Sequence, residues 1–160
     1  MNEALLNAIE IAAIAHRGQV DGAGRQYLLH SLAVLRTVAK KLPKDTDAQM
    51  AAVLHDVLED TSIRAPSLLL IHGVSYRAVS LVEAVTRKPD ETYEQFIDRV
   101  ADTGPVAIVI KLSDLEHNLS RIDGLPAARR AKLEPRYQAA KEKLTAALKY
   151  HNGVDHTSQL

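Results

Sequence analysis

At 160 residues, with 20 basic against 20 acidic side chains, the chain has room for one domain with its own core and no net charge to draw it to nucleic acid or a membrane surface. The absence of cysteine excludes disulfides, thiolate metal sites and cysteine nucleophiles together, and the absence of Trp, with aromatics at 4%, excludes a stacking platform for single strands. There is no leader-like segment and no apolar run of membrane-spanning length, so a soluble cytoplasmic protein is expected.

Residues 1–17 read as a first helix, with Leu5, Ile9, Ala12, Ala13 and Ile14 among its apolar positions. The glycines of residues 18–24 make the next stretch a loop. A second helix over 27–42 carries His30, Ala33, Val34, Val38 and Leu42, and Pro43 stops it. Residues 46–61, TDAQMAAVLHDVLEDT, predict one continuous third helix, opened by a capping box of Thr46 and Gln49. Met50, Val53, Leu54, Val57 and Leu58 fall on one face of it, and His55, Asp56, Glu59 and Asp60 on the opposite one.

A short helix is expected around 66–71, and two more over 75–85 and 92–100. Pro105 opens a further long segment whose start, Val106-Ala107-Ile108-Val109-Ile110, suits either a buried helix or a buried strand by periodicity alone. The helix-compatible continuation through residue 122 favours helix. A last, largely polar helix spans 126–150, and 151–160 read as a flexible tail. No Asn-Gly or Asp-Gly hairpin signal lies between alternating runs. The expected class is all-α, a single-domain helical bundle over residues 1–150.

The polar face of the third segment is unusual in its charges. No Lys or Arg occurs between residues 45 and 63, although solvated helix faces usually mix both signs. On a continuous helix Asp56, Glu59 and Asp60 would crowd the negative carboxyl end, each at a cost of about 0.3–1 kcal/mol. A divalent cation beside His55 would offset that cost. The long segment after Pro105 supplies a second polar set, Lys111, Asp114, His117, Asn118 and Arg121. Lys111–Asp114 (i, i+3) also fits a plain helical ion pair, while Asp114 with Asn118 (i, i+4) shares its face. His30 and His16, each taken alone, fit partly buried histidines with ordinary partners. Together, His30, His55, Asp56 and Asp114 form a two-histidine, two-aspartate set on three helices. Such a set suits manganese, iron or zinc without choosing between them.

These residues resemble the HD superfamily of metal-dependent phosphohydrolases, within it most of all the hydrolase domain of the Rel/SpoT alarmone enzymes and the stand-alone small alarmone hydrolases. The resemblance is carried by Ala15-His16-Arg17-Gly18-Gln19, Tyr27-Leu28-Leu29-His30, Leu54-His55-Asp56-Val57-Leu58-Glu59-Asp60-Thr61, Val82-Glu83-Ala84-Val85-Thr86 and Lys111-Leu112-Ser113-Asp114-Leu115-Glu116-His117-Asn118, over roughly residues 16–121. It implies that His30, His55, Asp56 and Asp114 hold one metal ion per chain, usually manganese. It further implies that Glu59 and Asp60 assist the attacking water, that Asn118 contacts substrate, and that His16 is not a ligand. Arg17 and Lys111 are candidates to neutralise phosphate oxygens, and Arg121 reads rather as a surface cation.

The implied activity is hydrolysis of a small phosphorylated nucleotide, first an alarmone 3′-pyrophosphate. The alternatives are another nucleotide mono- or polyphosphate, or a non-catalytic nucleotide-binding module. Two departures bear on the choice. Asp21-Gly22-Ala23-Gly24 stands where the resembling hydrolases carry a basic Arg-Lys-Ser-Gly-type loop, and Ser31 stands where they carry proline. A two-metal site would need further histidines between Asp56 and Asp114, where the sequence has only His72. The sequence leaves a homo-oligomer open.

Overall fold

The computed structural model describes residues 2–69 and 73–157. It divides into two compact units, Met1–Arg87 and Lys88–Leu160. Among the described residues the only β pairing is a single antiparallel bridge between Val20 and Gln26, so the class is all-α, as expected. No helix among them is long and apolar enough to cross a membrane.

The first unit is built round one short helix. It comprises α1 (Glu3–Ala15), α2 (Leu28–Lys41), α3 (Thr46–Leu54), α4 (Val57–Asp60), α5 (Ala65–Leu69) and α6 (Tyr76–Val85). Helices α1, α2 and α6 all pack on α3. Ala48, Ala51 and Ala52 let neighbouring backbones approach closely, while Met50, Val53 and Leu54 fill the space between. Burial of each of those three larger side chains stabilises the unit by about 1.5–3 kcal/mol. Every residue from Ala48 to Leu54 is buried, so this helix has no solvent face. The two-faced pattern expected for 46–61 therefore fails here: partners enclose α3 on all sides.

Two further expectations for this stretch need correction. Thr46 is not the cap; the Asp45 carboxylate accepts the Ala48 N–H at 3.0 Å, and Gln49 sends its amide to the carbonyls of Leu42 and Pro43. Nor is the helix continuous. It stops at Leu54, turns through His55 and Asp56, and restarts as the single turn α4. Asp56 (φ −100°, ψ −4°) opens the backbone, and Thr61 closes the far end by donating its hydroxyl to the Val57 carbonyl at 2.6 Å. Of the short helix expected at 66–71 the structure shows α5 to Leu69, and Leu70, Ile71 and His72 lie outside the described residues. Gly73 has φ +87°, and a Cβ there would stand 2.7 Å from that of Ala4, so both backbone and space require glycine.

The second unit holds α7 (Tyr93–Thr103), α8 (Pro105–Ser120), a 3₁₀ turn (Ile122–Gly124) and α9 (Ala127–Thr157). Thr92 and Gln95 form a full capping box at the start of α7. Pro105 occupies the first turn of α8, where its missing N–H costs nothing. The ambiguous run 106–110 is helical, and Ala107, Ile108, Val109 and Ile110 are buried, with α8 packed on both α7 and α9. Helix α9 continues through 151–157, which the sequence reading gave to a tail, and 158–160 lie outside the described residues.

Asp45 combines two roles, since Arg77 from α6 also grips it with Nη1 at 2.6 Å and Nη2 at 2.7 Å. That guanidinium holds the Asp45 carboxyl below the usual carboxylate range. A folded-state pKa depressed in this way adds stability that is present above the unfolded value of about 4 and is lost as pH falls through the folded value. Asp45→Ala should cost about 1–2 kcal/mol at neutral pH through the lost cap. Thermal melts should show the gap from wild type constant above about pH 5 and closing below about pH 4.

Candidate metal centre

His30 lies in the first turn of α2, where its N–H donates to the Tyr27 carbonyl at 2.9 Å. Its ring is 1% exposed. His55 and Asp56 occupy the break between α3 and α4, with His55 buried and Asp56 part-exposed. There His55 Nδ1 meets the Ala52 carbonyl at 2.8 Å, and a carbonyl oxygen can only accept. Nδ1 therefore carries the hydrogen, and neutral His55 presents a lone pair at Nε2.

Three ligand-type atoms converge in front of that lone pair. His55 Nε2 stands 3.2 Å from His30 Nε2 and 2.9 Å from Asp56 Oδ2, and His30 Nε2 stands 3.5 Å from the same oxygen. Atoms about 2.1 Å from a common ion lie about 3.0 Å apart at right angles and about 3.4 Å apart at tetrahedral angles. The observed triangle fits one face of either arrangement. Two imidazole nitrogens and a carboxylate so close favour a cation or a shared proton between them, and the donor set is that of a borderline divalent metal. His30, His55 and Asp56 thus come together as the sequence expects.

With the helix broken at His55, Asp56 stands at the N-cap of the four-residue α4, and Glu59 and Asp60 are its last two residues. A single turn carries little dipole, so the cost expected on a continuous helix shrinks. The triangle itself is the stronger ground for a cation.

Around it, the Tyr27 hydroxyl donates to Asp56 Oδ2 at 2.5 Å. Burial, then the charge on Asp56, push the Asp60 carboxyl above the usual carboxylate range, although Asp60 lies at an exposed edge. Glu59 is also exposed, and its Oε2 accepts the Arg87 N–H at 3.3 Å. Gln19 Nε2 donates to the Asp60 carbonyl at 3.1 Å, which turns Gln19 Oε1 toward His16 Nδ1 at 2.8 Å. His16 is buried with Nε2 lacking a hydrogen-bond partner, and its ring centroid is 4.8 Å from that of Tyr27. Arg17 is exposed.

Asp114, Lys111 and Asn118 form a second set, in the second unit. Asp114 is 3% exposed; Lys111 Nζ donates to its Oδ2 and Asn118 Nδ2 to its Oδ1, each at 2.7 Å. The i+3 and i+4 spacings read from the sequence thus seat a buried carboxylate. Arg121, read from sequence as a surface cation, donates to Asn118 Oδ1 at 3.0 Å. Sequence reasoning missed Arg136, whose guanidinium lies 3.7 Å over the Tyr93 ring, with its Nε and the Tyr93 hydroxyl both buried and lacking hydrogen-bond partners. It also missed the role of Tyr27, whose only local signal was its i, i+3 spacing to His30.

An all-helical chain presenting a His/His-Asp triangle at a helix break defines a class. A family model described as HD domain matches residues 8–103, and the chain belongs to the HD domain family. It is 32% identical over 158 residues to the guanosine-3′,5′-bis(diphosphate) 3′-pyrophosphohydrolase of Haemophilus influenzae, covering 91% of this chain and 22% of that protein. It is 31% identical over 141 residues to the bifunctional (p)ppGpp synthase/hydrolase SpoT of Escherichia coli K12, covering 81% of this chain and 19% of that one. The chain thus spans about a fifth of the length of these curated relatives. A solved structure described as a metazoan ortholog of SpoT that hydrolyzes ppGpp superposes with a TM-score of 0.77 at 24% identity, covering 94% of this chain and 88% of that one, which shows the shared fold.

His55→Ala removes the central nitrogen of the triangle, together with a buried ring held on the Ala52 carbonyl, and leaves the apolar side chains of α3 in place. Calorimetric titration with Mn²⁺ should show binding lost, while far-UV circular dichroism stays helical.

Proposed function

We propose that residues 1–150 act as one metal-dependent phosphohydrolase domain that removes pyrophosphate from the 3′ position of a guanosine bis(diphosphate) alarmone in the cytoplasm. The observation that carries this reading is the converging triangle of His30, His55 and Asp56, with Glu59 and Asp60 one turn beyond. The relatives named for this reaction support the substrate. In this proposal Asp114 completes the ligand set for a single manganese ion.

When bound, such an ion lowers the pKa of a coordinated water to about 7 and draws charge from the phosphoryl group. The chain's own groups do the rest. His55, fixed by the Ala52 carbonyl, offers Nε2 without an N–H in the way. Asp60, with its carboxyl raised by burial and by Asp56, is suited to take up a proton and hand it to the leaving oxygen. Glu59, tethered by the Arg87 N–H, shares that work. Lys111 and Arg17 neutralise phosphate oxygens, and Asn118 contacts the nucleotide. The reading needs neither nucleic acid nor membrane as partner, and it works equally in a monomer or a homo-oligomer.

One observation favours a second substrate, another nucleotide mono- or polyphosphate. The 21–25 loop is organised inward: Asp21 Oδ1 accepts the N–H groups of Ala23 at 2.8 Å and Arg25 at 3.0 Å, and the Arg25 Nε is 3.3 Å from Asp21 Oδ2. Its one cation is thereby partly neutralised from within, which weakens any grip on a second diphosphate.

Pyrophosphate release from guanosine 3′,5′-bis(diphosphate) with Mn²⁺ should be rapid for wild type and at least about 100-fold slower for Glu59→Gln, the range for loss of general acid–base help. Release no faster than the variant's removes the alarmone as substrate. Orthophosphate or pyrophosphate from a different nucleotide in the same assay supports the second.

A further inference from the structure

We propose that Tyr27 is a positioning residue for the metal centre: its hydroxyl fixes the direction in which the Asp56 carboxylate faces His30 and His55. This rests on the metal-centre reading above and goes beyond it, because the ligand triangle says nothing about what aims its one carboxylate.

The need for such a group follows from the helix break. Asp56 occupies the N-cap of α4, where an aspartate ordinarily turns its carboxylate back onto the N–H groups of its own first turn. Here it makes no such cap bond. Its side chain points instead toward the two imidazoles, and a short side chain leaving an open turn has two χ angles to settle. Tyr27 donates to Oδ2 at 2.5 Å, from 29 residues away in sequence. That bond uses one lone pair of the oxygen and leaves the other for the triangle, 2.9 Å from His55 Nε2 and 3.5 Å from His30 Nε2.

Tyr27 is itself held well enough to serve. Its ring stands edge-on to His30, with centroids 5.6 Å apart, and lies 4.8 Å from His16 on the other side. Its N–H donates to the Gln19 carbonyl at 3.0 Å, and its carbonyl takes the His30 N–H. The same backbone turn therefore sets Tyr27 and His30 together, so one four-residue turn carries a ligand and the group that aims the opposite ligand. His16 contributes by packing: Gln19 holds it, and Gln19 is anchored on the Asp60 carbonyl. Phenylalanine at position 27 would keep every ring contact and lose only the hydroxyl.

The experiment is calorimetric titration of the full chain with Mn²⁺, comparing wild type, Tyr27→Phe, Asp56→Asn and the double variant. If the hydroxyl aims Asp56, Tyr27→Phe binds about 10–100-fold more weakly, the range for loss of an outer-shell partner. Its melting temperature in EDTA, which a mere packing role would move, stays near that of wild type. The visible spectrum of the Co²⁺-loaded protein shifts as well, because the carboxylate's direction changes. Asp56→Asn, alone and with Tyr27→Phe, completes a cycle: if the hydroxyl acts through the carboxylate, Tyr27→Phe weakens the Asp56→Asn protein far less than it weakens wild type. Affinity of Tyr27→Phe equal to or tighter than wild type overturns the proposal, as the hydroxyl would then be neutral or a competitor of the metal. So does a Tyr27→Phe loss of the same size in the Asp56→Asn protein. Wild type that binds no metal overturns this proposal and the metal-centre reading together, whereas wild type that binds beside an unaffected Tyr27→Phe overturns this one alone.

Discussion

The bond from His55 Nδ1 to the carbonyl of Ala52 ties the core of the first unit to its chemistry. Ala52 belongs to a helix enclosed by three others, so its carbonyl is as fixed as any atom in the unit. That single contact sets the tautomer of His55, the plane of its ring and the place where the helix must give way. Everything at the triangle then follows from where the chain goes next. The regular helix lapses over His55 and Asp56, α4 restarts, and Asp60 comes near enough to feel the charge of Asp56. A mobile histidine with a migrating hydrogen would offer no fixed acceptor, and the neighbouring carboxylate would simply pair with it as an ion.

Enclosure and reactivity are thus divided along one stretch of nine plus four helical residues. The enclosed part is packed with alanines, and its one buried polar side chain, Gln49, is spent on the carbonyls of Leu42 and Pro43. The exposed turn carries the acidic side chains and has almost no packing of its own beyond Val57. In the second unit α8 repeats the division along its length. Its apolar beginning is buried, and its later turns seat Asp114 between Lys111 and Asn118.

Much of this was legible in the chain because local rules agreed with the fold. The segment opening at Thr92, and Pro105 after Gly104, mark true helix starts, since these depend only on neighbouring residues. The seat of Asp114 was legible for the same reason, its partners lying three and four residues away. The break at His55 was not legible. LHDVLED has ordinary helical propensity, and what interrupts it is a side chain turned back on the previous turn together with a histidine from another helix. The missed cap at Asp45 has a similar origin: Thr46 looked the better candidate until Arg77, 32 residues away, is seen to hold the aspartate in place. Tyr27 was named only as part of the 27–30 stretch, and its role was not legible because its partner is distant in sequence and no periodicity links positions 27 and 56.

The sheathing of α3 also shapes how this protein can vary. Ala48, Ala51 and Ala52 are fully buried, so a larger residue at any of them would have to displace a neighbour, and interiors at crystal-like density absorb such growth poorly. Natural drift and laboratory selection are accordingly steered away from the support and toward the short turn and the loops around it. A lineage seeking a new substrate would keep its scaffold almost unaltered while rewriting exposed turns and loops, of which residues 22–25 are one.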